Sequence, residues 1–173
     1  TYYHARALAR LGHDVHVIAG STVDGLHHSE HEGVRVTRIR RNGWLSRRLE
    51  DAKRHRLGWF ANRLETAQSS DEALVHVMEH EQFDLVEMPE CGGDGMLVTT
   101  MLQVPTAVKY HSPARLIMNI YDTPCMDRQL TAFAEQVAIN QATIHTSCSQ
   151  FLADEVATKM GVTKPIHVIA NGI

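Results

Sequence analysis

At 173 residues the chain is long enough for one domain with its own core. Its hydrophobic fraction of 43% and charged fraction of 21% are ordinary for a globular protein, and a net charge of −3 gives nucleic-acid binding no support. No apolar run approaches the roughly 18 residues of a membrane span, and Cys91, Cys125 and Cys148, without a C-x-x-C spacing, point to a reducing compartment rather than a disulfide framework.

Tyr2 to Leu11 reads as the back half of an amphipathic helix, with Leu8 and Leu11 inward, Arg6 and Arg10 outward and Gly12 as the stop. Val15 to Ala19 reads as a buried strand and Val34 to Ile39 as a half-exposed one. Leu45 to Gln68 has helical spacing, and Ser70 or Asp71 can cap a second helix carrying Leu74, Val77 and Met78. Leu85 to Met88 is a short strand, and Gly92-Gly93-Asp94-Gly95 opens a helix through Met101. Ala107 to Tyr110 is a strand between Pro105 and Pro113, followed by a long helical stretch to about Gln141. Ile144 to Thr146 is a strand, Ser149 caps a helix that ends at Gly161, and Ile166 to Ile169 is the last strand. The opening helix lacks an N-cap, so both ends are expected to continue into further structure, with a first strand upstream of Thr1.

Strands alternating with helices predict an α/β fold with a parallel, doubly wound sheet. In such sheets ligands bind beyond the carboxyl ends of the strands, which directs attention to the strand exits. Gly92, Gly93 and Gly95 follow a strand and precede a helix. They can offer backbone amides to an anion or a sugar hydroxyl, or they can serve a tight turn for backbone reasons alone. Val98 stands where a dinucleotide fingerprint needs a small residue. Glu87 and Glu90 flank one strand end; they read as an acid–base pair or as a hydrogen-bonding and solvated pair. His111, just past Tyr110 and before Ser112-Pro113, is placed to meet a sugar hydroxyl or a reacting centre, or to be structural. His27, His28 and His31 fall in a polar loop with Glu30 and Glu32; exposure without a bound metal is the simpler reading. Eight of the 17 basic residues lie between Arg38 and Arg56, among them Arg47, Arg48 and Arg54, beside Trp44, Trp59 and Phe60. That segment reads as an anionic-ligand or acidic-membrane surface, or as a solvated helix face.

At the strand exits the chain resembles a known family. Leu8 to Ala19, with its Leu-Gly-His-Asp-Val turn, is similar to the first helix and second strand of GT-B glycosyltransferases of family 4. Phe83 to Glu90 with Gly93 and Gly95, Val108 to Pro113, and Ser149 to Ile173 resemble three later segments in the same order. The resemblance implies a three-layer Rossmann-like N-terminal domain spanning residues 1–173, joined to a C-terminal nucleotide-sugar domain that this sequence does not contain. It implies transfer of a sugar from a nucleotide sugar to a sugar, lipid or small-molecule acceptor with retention, without a cofactor or bound metal. His111 would approach the donor sugar. Glu87, Glu90, Gly93, Gly95 and Ser112 would line the acceptor side, and Asn171 and Gly172 would mark the passage to the second domain. The partners implied are the donor, the acceptor and the chain's own C-terminal domain, with no nucleic acid. The setting is cytoplasmic, with peripheral membrane contact through the basic segment left open. A non-catalytic module for an anionic lipid or partner, and a sugar-nucleotide epimerase domain, are the alternatives.

Overall fold

The computed structural model describes residues 2–40, 50 and 56–172. Helix α1 (Tyr2–Arg10) leads into strand β1 (Val15–Gly20). Leu11 lies past the last helical residue, at a turn where its N–H bonds Ala7 and Leu8; it is 76% exposed and does not join the inward face expected of it. Ala5 is the buried residue of this helix.

The polar loop expected around His27 is a strand. β2 (Leu26–His31) pairs antiparallel with β3 (Val34–Ile39), and β3 pairs parallel with β1, giving a sheet of order β1-β3-β2. The connection is the two-residue turn Glu32-Gly33, both at positive φ (50° and 78°), the geometry that matches strand twist in tight hairpins. Thr37, fully buried, anchors this sheet: its hydroxyl lies 2.7 Å from His16 Nε2 and 2.9 Å from His28 Nδ1.

Helix α2 (Gly58–Met78) is one unbroken helix, where two were expected. The backbone stays helical through Ser70 and Asp71, the residues read as a cap, and Ser69 before them turns its hydroxyl back to the Glu65 carbonyl at 3.0 Å. At its other end Arg56 takes a positive φ of 66°, so the helix starts at Gly58 and does not run through from Leu45. Residues 41–49 and 51–55, with Trp44, Arg47, Arg48 and Arg54, lie outside the described residues.

The second sheet is all parallel, in the order β4 (Val86–Pro89), β5 (Thr106–Tyr110), β6 (Ile144–Ser147) and β7 (Ile166–Val168). A 3-10 turn (Cys91–Gly93) and helix α3 (Met96–Met101) link β4 to β5. The long helix expected next is two: α4 (Ala114–Ile117) and α5 (Cys125–Gln141). Pro124 separates them, because its ring is compatible with a helix start but not with a continuing helix. Helix α6 (Gln150–Met160) starts on the Ser149 hydroxyl, which accepts from Leu152 N at 3.2 Å, and ends at Gly161 in the left-handed conformation, as the sequence predicts. Leu74, Met88, Val98, Val108, Tyr110, Ile139, Leu152 and Val156 form the core of this sheet, and Ile18 of β1 packs against it, joining the two sheets. The result is a Rossmann-like α/β architecture, with one antiparallel strand added at the outer edge.

Candidate active site at the strand exits

Parallel pairing places the carboxyl ends of β4 to β7 along one rim. Pro89 is level with Lys109, and Tyr110 with Ser147. Glu90, His111-Ser112 and Cys148 therefore follow their strands on the same side. Asn171 and Gly172 come after β7 on that rim, both exposed, with Ile169 N bonded to the Ser147 carbonyl at 2.8 Å.

The two glutamates of β4 part company. Glu87 is exposed and faces His4 of α1, Oε1 lying 3.4 Å from Nδ1. Glu90 is fully buried. Its Oε1 accepts the backbone N–H groups of His111 at 2.9 Å and Ser112 at 2.5 Å, while Oε2 has no hydrogen-bond partner among the described residues. Burial pushes the Glu90 carboxyl up, against the amides that favour its charge. Of the two readings left open for these glutamates, the separate neighbours favour the hydrogen-bonding and solvated one.

His111 is exposed and Ser112 half-buried. Pro113, at φ −52° and ψ 138°, keeps the chain extended until α4 begins, so the amides of His111 and Ser112 stay outside both sheet and helix and are free to turn inward to Glu90.

The glycine turn has a steric explanation. Gly93 stands at φ +76°, and a Cβ there would lie 2.7 Å from the backbone carbon of Ala134 in α5. Gly92 lies against the stem of Arg63 from α2, and Gly95 against Met88 Sδ. The turn is thus pressed between two helices and its own strand. The amides of Gly92 and Gly93 are already engaged, with Glu135 Oε1 at 2.7 Å and the Glu90 carbonyl at 3.0 Å. Of the two readings left open for these glycines, the tight-turn reading is the one the geometry favours.

Two carboxylates of α5 were not singled out from the sequence. Glu135, 1% exposed, accepts from Gly92 N through Oε1 and from Ala114 N through Oε2 at 2.6 Å. Burial, with Glu90 adding to it, drives its carboxyl up to about 7 even though both amides favour the charged form. Asp127, also 1% exposed, accepts from Trp59 N at 2.9 Å and Phe60 N at 2.7 Å, capping α2 from another helix. A signal was present: Asp127, Thr131, Glu135 and Ala138 recur at helical spacing on the buried face of α5. An acid on an otherwise small and apolar stripe must meet partners inside.

Behind His111, Tyr110 is fully buried with its hydroxyl 2.7 Å from His145 Nδ1. Burial raises the phenol and lowers the imidazole, so both stay neutral. The histidines of β2 disperse: His27 Nε2 lies 2.8 Å from the Asp24 carbonyl, His28 reaches Thr37, and His31 Nε2 lies 3.2 Å from the Tyr2 hydroxyl. The three cysteines are free thiols. Among the described residues no helix is long and apolar enough to cross a membrane.

A Rossmann-like α/β domain with a histidine and buried acids at its parallel strand exits defines the class. The chain belongs to glycosyltransferase family 4: the model of that family, Glycosyltransferase Family 4, matches residues 1–173. None of the curated proteins matches the chain significantly. Family membership supports a glycosyltransferase-type function.

Proposed function

We propose that residues 1–173 form the acceptor-side domain of a retaining glycosyltransferase, which moves a sugar from a nucleotide sugar to an acceptor when a second, nucleotide-holding domain closes over the rim. The observation that carries this reading is His111: its side chain is exposed at the carboxyl end of β5, and its backbone is fixed from below by Glu90. An imidazole held there can face a donor sugar presented from the opposite domain and stabilise charge as the glycosidic bond breaks. Ser112 lies on the same side, where an acceptor would sit, above the buried turn shaped by Gly93 and Gly95, and Asn171-Gly172 leads away from it. Glu87 is paired with His4 on the flank, away from His111.

The test uses the enzyme carrying this domain, assayed with UDP-glucose and GDP-mannose as probe donors. His111→Ala is expected to lower kcat by about 100-fold, with the circular dichroism spectrum unchanged. Near-normal turnover would remove His111 from the reaction. Residues 1–173 alone are expected to transfer no sugar, and measurable transfer by them would overturn the two-domain reading.

A further inference from the structure

We infer that Glu90 is the positioning residue of His111, and that Glu135 braces the same turn so that the β4 and β5 exits move as one unit. This rests on the reading of His111 given above and concerns how that side chain is aimed.

Four backbone amides carry the inference. Glu90 Oε1 takes the amides of two consecutive residues, His111 and Ser112. One acceptor shared by neighbouring N–H groups forces a concave backbone there. That fixes the direction of the His111 Cα–Cβ bond while the ring stays exposed. Glu135 repeats the device one step further along both segments, joining Gly92, two residues past Glu90, to Ala114, two residues past Ser112. The two exits are therefore tied at two levels by two carboxylates anchored on different elements, β4 and α5.

The choice of side chain is informative. A solvent-exposed turn closes with an Asn, a Ser or water. Here two carboxylates, 0% and 1% exposed, are used instead, at a cost in desolvation. Glu90 lies close enough to Glu135 to raise its proton affinity further. The charged neighbours are limited: Arg63 of α2 acts on Glu135, and His111 acts on Glu90. A stability role alone is poorly served by such an arrangement, because apolar packing at the same place avoids the desolvation. Fixing the exit of one strand to a fraction of an ångström is what preorganised sites require.

The experiment compares Glu90→Gln and Glu90→Asp. Gln keeps the length and one accepting oxygen; Asp keeps the charge but is one methylene too short to meet both amides. Amide hydrogen exchange in the folded chain is expected to speed up at His111 and Ser112 by about 10-fold or more in the Asp variant and less in Gln, with β6 amides unchanged. In the full enzyme, with UDP-glucose and GDP-mannose as probe donors, kcat is expected to fall more in Asp than in Gln, at constant KM. The proposal is overturned if folded Asp and Gln variants leave His111 and Ser112 exchange at the wild-type rate. It is equally overturned if Asp retains wild-type kcat, or if exchange rises uniformly across the sheet. If the amides respond as expected but His111→Ala retains full turnover, Glu90 does hold the turn, and the catalytic reading of His111 is what fails.

Discussion

Single residues at the β4 and β5 exits carry the most legible chemistry and also the main surprise. His111, Glu90 and Gly93 stand out in the sequence because they follow strands, and the structure brings them onto one rim. Glu135, which holds Gly92 and Ala114 beside them, and Asp127, which caps α2, are legible as buried acids from their helical spacing, but which amides they meet leaves no trace in local spacing. Glu135 also makes a pH prediction. Its folded carboxyl is raised to about 7 from an ordinary value of 4.5, so the folded state binds the proton more tightly than the unfolded one. Its contribution to stability is complete below pH 4.5 and is lost as pH rises through 7, by about 3 kcal/mol. Urea midpoints of the wild type minus those of Glu135→Gln should therefore fall between pH 4.5 and 7.5; a flat difference would refute the assignment. Gly93→Ala, with its positive φ and the Ala134 backbone in the way, is expected to cost about 2–4 kcal/mol in the same measurement.

Elements were read well where one face is buried and poorly where neither is. β3 and β5 were placed within a residue of their observed bounds because burial imposes a pattern on them. β2 carries the sequence Leu-His-His-Ser-Glu-His and is exposed along nearly its whole length, so it has no alternation to read. Its one signal was the Glu32-Gly33 turn. Ser70 or Asp71, read as a cap, lies inside α2 instead, because such residues fit a helix start or a helix interior and tertiary packing chooses between them. The N-terminus of α2 shows this directly, since its own Leu57 offers no cap and Asp127 supplies one from α5. Asp127→Ala should destabilise the chain by about 1–3 kcal/mol. Ser149→Ala, which removes an ordinary local cap, should cost about 1 kcal/mol. Equal midpoints for the two in urea would contradict the buried cross-helix role.

For the whole molecule, the alternation of helices and strands was enough to give the α/β class, but the division into two sheets was not visible in it. The parallel sheet holds the core, while β1 is half-buried along most of its length and the β2–β3 hairpin contributes chiefly Val34 and Thr37 to the interior. Local opening should follow that gradient. Native-state hydrogen exchange is expected to be slowest in β5 and β6 and markedly faster in β2 and β3. Uniform protection across both sheets would show that the hairpin sheet unfolds only with the rest.

The hairpin's outermost strand has a further consequence for how molecules behave in a crowd. An open strand edge invites a neighbouring chain to add itself in register, the first step of aggregation. β2 presents at that edge three histidines, a serine and a glutamate instead of the branched apolar residues from which dry stacked sheets are built. The same lack of pattern that hid this strand in the sequence makes it a poor template for a second copy, so the sheet edge left open among the described residues is not offered as a seed.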